Sequence, residues 1–248
     1  MTAGETPVPG APVAAAPRPG AVSRITGVFF SPVRTFADIA ARPTWLAPLL
    51  LWTVVQIFLT SIIVPRMDFE KAIRARMEKS GQTVPEERMQ QIVQTQKKVG
   101  GVFGYVAAVL SPGIVCLIVA GVALGAFKAF GGDLSFRQSF GVTTHGFLPT
   151  VVGSLLFVPI LLRQESLDPR AIGDLLRSNL GFLVERDSSK VLHSLLQSVD
   201  IFSFWVLALL VIGFAAAARV SRKMSAGVLI TLWLLYVLGK AGLTAVFS

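Results

Sequence analysis

Two long, almost uncharged runs, residues 102–130 and 147–162, close around a polar stretch, 131–149, that reads GGDLSFRQSFGVTTHGFLP. About 20 apolar residues suffice to cross a bilayer as a helix, so the pattern predicts two membrane spans joined by a turn. Gly131, Gly132 and Asp133 supply the stop, because glycine accepts left-handed backbone angles and aspartate starts a new turn or cap. Ser135, Arg137 and Gln138 put that turn at a water interface. Thr143, Thr144 and His145 then carry polarity into the next span, about 140–162.

The same pattern predicts further spans at about 45–64, 201–218 and 226–247, the last two separated by the basic turn Arg219, Val220, Ser221, Arg222, Lys223. The second span, 102 to about 127, contains Pro112, which deletes a backbone hydrogen bond and predicts a kink. Between the first two spans, residues 66–98 carry two charged helical stretches with apolar stripes, Phe69, Ile73, Met77 and then Met89, Ile92, Val93. Thr83 and Glu86 have capping-box spacing at the start of the second.

After the third span, Asp168 and Pro169 open a helix carrying Ile172, Leu175, Leu176 and Leu183. Ser188 or Ser189 opens another, with Val191, Leu192, Leu195 and Leu196 as its apolar face. Alternate connectors lie on one side of a membrane, so these four short helices can form one layer. Near the N-terminus, Ser31 and Pro32 start a short amphipathic helix through Val33, Phe36, Ala37 and Ala40, expected to lie on the membrane surface. The reading is therefore an all-α polytopic membrane protein: a disordered Pro/Ala/Gly-rich tail (1–23), an interfacial amphipathic helix (24–43) and a five-span domain (44–248) with amphipathic surface helices in its two long connectors.

Composition confirms the class, since 53% hydrophobic residues, 15% charged residues and a mean hydropathy of +0.66 exclude an ordinary soluble domain. A net charge of +9 raises nucleic acid as a partner, but the bases are scattered among connectors without aromatic interleaving. Anionic lipid headgroups in the bilayer are the expected partner instead. Charge leaves the orientation open: the two long connectors hold thirteen Lys/Arg against nine on the N-terminal side, yet theirs alternate with acids whereas the last turn is purely basic. The single cysteine, Cys116, lies in an apolar run, which excludes an intramolecular disulfide and a thiolate zinc cluster. Residues 1–22 lack the apolar core of a cleavable signal peptide.

Candidate chemistry is sparse. Gln56, His145 and Lys240 are polar groups inside spans, and Asp200 begins the fourth. Gln56 is central, where an unpartnered amide is costly. His145 reads either as an interhelical hydrogen-bonding group or as a proton or metal site. Asp200 and Lys240 fall near one face, which allows either an ion pair or simple snorkelling of the lysine. Gly100, Gly104 and Ala108 form one ladder of small residues and Gly121, Gly125 and Ala129 another, as close helix packing in lipid requires. No phosphate loop, metal motif or nucleophile motif is present, so no cofactor and no catalytic residue is predicted.

Four stretches, FFSPVRTFADIAARPTWLAPLLL, GGDLSFRQSFGVTTHGFLPT, SVDIFSFWVLALLVIGF and LLYVLGKAGLTAVF, occur in an order that resembles the Yip (Ypt-interacting protein) membrane-domain family, especially its bacterial members, from about Phe29 to the C-terminus. The resemblance implies a five-span helical bundle with a cytosolic N-terminus. Eukaryotic relatives act in vesicle traffic and contact prenylated small GTPases. The Ala, Val and Gly bias here looks bacterial, which leaves that partner open and implies an inner-membrane location. Three function classes compete: a non-enzymatic scaffold that organises the bilayer or binds other membrane proteins or itself, a small transporter or channel built on the polar span residues, and an intramembrane enzyme. The resemblance favours the first.

Overall fold

The computed structural model describes residues 19–81, 84–169, 172–175, 178–184 and 189–247. Most of the N-terminal tail, Thr83 with its capping box, Leu176 and Ser188 lie outside the described residues. Helices α1 (Ala21–Phe30) and α2 (Pro32–Ala41) are followed by α3 (Leu46–Arg66), α4 (Phe69–Ser80), α5 (Glu86–Ala129), α6 (Phe136–Gly146) and α7 (Leu148–Leu162). The chain continues through α8 (Ile172–Leu175), a 3-10 turn (Leu180–Leu183), α9 (Lys190–Ser198), α10 (Ile201–Ala217) and α11 (Arg222–Phe247). The protein is an all-α, polytopic, integral membrane protein.

Four helical stretches are long and apolar enough to cross a bilayer: α3, α5, the α6–α7 pair and α11. At 17 residues, α10 is shorter, about 25 Å long at 1.5 Å per residue. Its two ends nevertheless join opposite layers of the molecule. At the start of α10, Ile201 N donates to Ser178 O at 3.2 Å, in the connector region. Just past its end, Ala218 O accepts from Asp133 N at 3.2 Å, in the glycine turn. The two long connectors share one side: Leu167 N donates to Arg66 O at 2.7 Å and Asp68 N to Leu167 O at 2.9 Å. Large apolar side chains cover the outside of the bundle, such as Phe103 and Leu238, 69% and 62% exposed, as lipid-covered surface requires.

The glycine turn stops α5 as its residues dictate. Gly131 takes a φ of +80°, and Gly132 N donates to Phe127 O at 2.8 Å, closing the helix end. Ser135 and Gln138 then form a reciprocal capping box that starts α6. The Gln138 amide also donates to Ala40 O at 2.9 Å, tying α6 to the end of α2. In the core behind this turn, the rings of Phe127 and Phe214 stack with centroids 5.0 Å apart.

Several expectations need correction. The amphipathic helix expected before the second span is fused with it, so α5 runs unbroken for 44 residues through Gly100, Gly101 and Pro112. Helix hydrogen bonding is worth keeping where lipid offers no substitute. The third span is interrupted instead: Pro149 lacks an N–H and its ring crowds the carbonyl four residues back, so α6 ends at Gly146 and α7 begins at Leu148. Residues 24–43 form two antiparallel helices, not one surface helix, and Val28, Phe36 and Ile39 are fully buried against the bundle. The apolar stripe of α2 packs on α10 and α6 because those helices offer small residues, Gly213 and Gly141, as seats.

In the connectors, Asp68 caps α4 by accepting from Lys71 N at 2.9 Å. Arg74 bridges Glu70 and Glu86, both at 2.8 Å, which joins α4 to the start of α5 and holds the guanidinium above its usual pKa. Ser189 caps α9, as its position predicts. In α9, His193, Ser194 and Ser198 are buried, while of the apolar face Leu192 is exposed and Val191, Leu195 and Leu196 are half-buried.

Candidate functional site

No hydrogen bond or ion pair joins any two of Gln56, His145, Asp200 and Lys240 among the described residues. Gln56 is half-buried between α3 and α7, where the Ser154 hydroxyl donates to its Oε1 at 3.5 Å, the outer limit of a hydrogen bond. The amide thus has a partner, though a weak one. His145 is 1% exposed, and its Nδ1 lies 2.9 Å from Gly141 O. That contact runs one turn back along the same helix, so it is not the interhelical bond expected from the sequence.

Asp200 is occupied as the N-cap of α10: its Oδ2 accepts from Ser203 N at 2.9 Å and from Ser203 Oγ at 3.2 Å. Lys240 sits one turn before Thr244, which faces Ser194 of α9 at 3.4 Å. The two residues form no ion pair: the cap uses Asp200 Oδ2 alone, and Oδ1 is buried without a hydrogen-bond partner. No three His, Cys, Asp or Glu side chains gather as a metal set among the described residues.

The two small-residue ladders fare differently. Gly104 faces α3, where an added Cβ would meet Val64 Cγ2 at 3.3 Å and Thr60 Cγ2 at 3.6 Å, and Ala108, one turn on, is buried. Gly121 and Gly125 meet nothing within 4 Å, so the second ladder packs on nothing in this chain. Among the glycines that seat other helices is Gly213, where a Cβ would lie 2.5 Å from Val142 Cγ1 and 2.7 Å from Phe36 Cδ1.

The most highly organised polar cluster was not singled out by the sequence reading. Arg24 of α1 is buried against α2, with Nε and one terminal nitrogen both 2.8 Å from Asp38 Oδ2. Its other terminal nitrogen donates to Arg42 O at 3.1 Å and to Thr44 Oγ1 at 2.7 Å. One guanidinium therefore ties α1, α2 and the corner leading into α3. Beside it opens a polar cleft of about 500 Å³ between α1 and α2. A signal was present in the sequence: Arg34 and Asp38 lie one turn apart on α2, and Arg42 follows at the same spacing as its C-cap. What was missing was the turn at Ser31 that folds Arg24 back onto that face.

Replacing His145 with Gln should preserve folding, since an amide nitrogen can donate to the same Gly141 carbonyl and no other helix loses a partner. Thermal unfolding in detergent within a few degrees of wild type is the expected result; an aggregated variant would give the imidazole a structural role that its single contact does not predict.

Neither the curated proteins nor the solved structures contain a match to this chain. Residues 26–243, from within α1 to the last turns of α11, match the Yip1 domain, which makes this chain a member of the Yip1 domain family.

Proposed function

We propose that this protein is a non-enzymatic membrane scaffold of the bacterial inner membrane, which organises the bilayer or holds other membrane proteins through its bundle and connector layer. The Yip1 match over nearly the whole chain carries this reading, because the family is not an enzyme family. The separate placements of Gln56, His145, Asp200 and Lys240 favour it over transport, which needs polar groups converging near the midplane. Purified protein reconstituted in liposomes should remodel the vesicles or recover a reproducible membrane partner from native membranes. Inertness in both assays, or solute flux lost in Gln56→Leu, would count against the scaffold.

The proposal extends to topology. We take α10 as a fifth span, supported by its ends meeting opposite layers, and place the N-terminus, the glycine turn and the turn after α10 in the cytosol. In a Cys116→Ala background, Ser135→Cys and Ser221→Cys should resist an impermeant thiol reagent added outside intact cells. Labelling of both from outside would reverse the orientation.

A further inference from the structure

The polar cleft between α1 and α2 has a charge imbalance that the fold itself does not use. Its walls include Ser23, Arg24, Thr26, Arg34, Asp38 and Arg42. Arg24 and Asp38 neutralise each other through paired contacts at 2.8 Å. Arg34 and Arg42 are exposed, and neither guanidinium has an acidic partner among the described residues. Two uncompensated positive charges therefore line a cavity whose one carboxylate among the described residues, Asp38, is neutralised by Arg24.

The cleft also runs along the hairpin to its apolar tip. The α1–α2 hairpin leans along α10, and the ring of Phe29, near its tip, meets Trp205 edge-on at 5.5 Å. Trp205 stands twelve residues before Ala217, about 18 Å up α10 from the glycine-turn side. The base of the hairpin, by contrast, lies near the start of α6, where Gln138 bonds Ala40 O. At the tip, Phe30 lines the cleft and is 86% exposed, with Val33 also exposed next to it. A ligand here meets Arg42 at the base of the hairpin, and Arg34 together with the exposed Phe30 and Val33 towards its tip.

We propose that this cleft binds an anionic phospholipid, its phosphodiester seated on Arg34 and Arg42 and its acyl chains running past Phe30. Planar guanidinium groups bind phosphate oxygens through paired charge-assisted hydrogen bonds, which suits two free arginines at the two ends of α2 lining one cleft. A zwitterionic lipid brings an ammonium group as well, and the charge of Asp38 is already neutralised by Arg24, which leaves Arg34 and Arg42 to repel it. The site therefore selects lipids of net negative charge. This inference is independent of the scaffold reading, since a transporter would present the same cleft.

The test uses the full chain in detergent micelles doped with phosphatidylglycerol or phosphatidylcholine, with bound lipids counted by native mass spectrometry. Wild type should retain phosphatidylglycerol preferentially. Arg34→Gln with Arg42→Gln should lower that retention about tenfold, as loss of charge-assisted contacts predicts, with phosphatidylcholine unaffected. Neither side chain is used in the fold, so melting in lipid-free detergent should match wild type. The Arg34→Gln single variant, expected to lose part of the retention, supplies the answer should the double variant aggregate. The pair Arg222→Gln and Lys223→Gln, on the same side of the molecule, should leave retention intact. Equal retention by wild type and the cleft variants, or an equal loss in the Arg222/Lys223 pair, would overturn the site. Full displacement of the lipid by glycerol phosphate at matched concentration would make the ligand a soluble phosphate and overturn the lipid assignment.

Discussion

Arg24→Gln is expected to destabilise the folded protein by about 3 kcal/mol, the loss that follows when one partner of a buried ion pair is removed. The side chains of Arg24 and Asp38 are only 8% and 23% exposed, so water does little to rehydrate the carboxylate left behind. The guanidinium also satisfies Arg42 O and Thr44 Oγ1, so its loss unties α1 from both α2 and the corner before α3. Asp38→Asn should cost less, because Arg24 keeps those two acceptors. In the double variant the two losses should not add, since neither charge is then left alone. Thermal unfolding of the detergent-solubilised protein measures all three. An Arg24→Gln variant that melts with wild type would show that the pair contributes no net stability, and strict additivity would show that the two side chains do not act together.

That cluster marks where the sequence stopped being legible. The spans and the glycine turn could be read directly, because hydropathy reports burial in lipid and glycine-aspartate punctuation reports helix ends. The pairing of Arg24 with Asp38 could not, because it depends on a helical hairpin whose turn, Ser31 with Pro32, also reads as an ordinary helix start. The connector helices were legible as amphipathic but not in their orientation. In α9 the buried face holds His193 and Ser194, and the helix packs on α11, a neighbour the stripe itself does not name.

The continuity of α5 was hidden for a related reason. Gly100 and Gly101 look like a break in water, yet Gly100 lies against the Phe69 ring, where a Cβ would be 3.0 Å from it, and the helix continues. Glycine in a membrane helix thus has three readings, break, seat or lipid-facing filler, and only the neighbour decides among them. Gly121 and Gly125 form the more regular ladder but face open surface, whereas Gly213 stands alone in sequence and seats two helices.

This difference predicts a graded alanine series. At Gly213 a methyl group would press on Val142 and Phe36, a β-branched side chain and a ring, both fully buried. Neither has a free end to move, so α2, α6 and α10 must separate. Gly213→Ala should cost about 1 to 3 kcal/mol by overpacking, against which the gain of up to about 1 kcal/mol from better helix propensity is the smaller term. At Gly146 the same methyl would meet the end of the Leu210 side chain, which can rotate away, so a smaller loss is expected. At Gly121 nothing lies within 4 Å, and the propensity gain should remain, leaving stability unchanged or slightly raised. Melting temperatures in one detergent should therefore rank Gly121→Ala highest, Gly146→Ala next and Gly213→Ala lowest, the last with a matching loss of monodisperse protein. A Gly213→Ala variant as stable as Gly121→Ala would mean that the junction of α2 with α6 and α10 is looser than these contacts require.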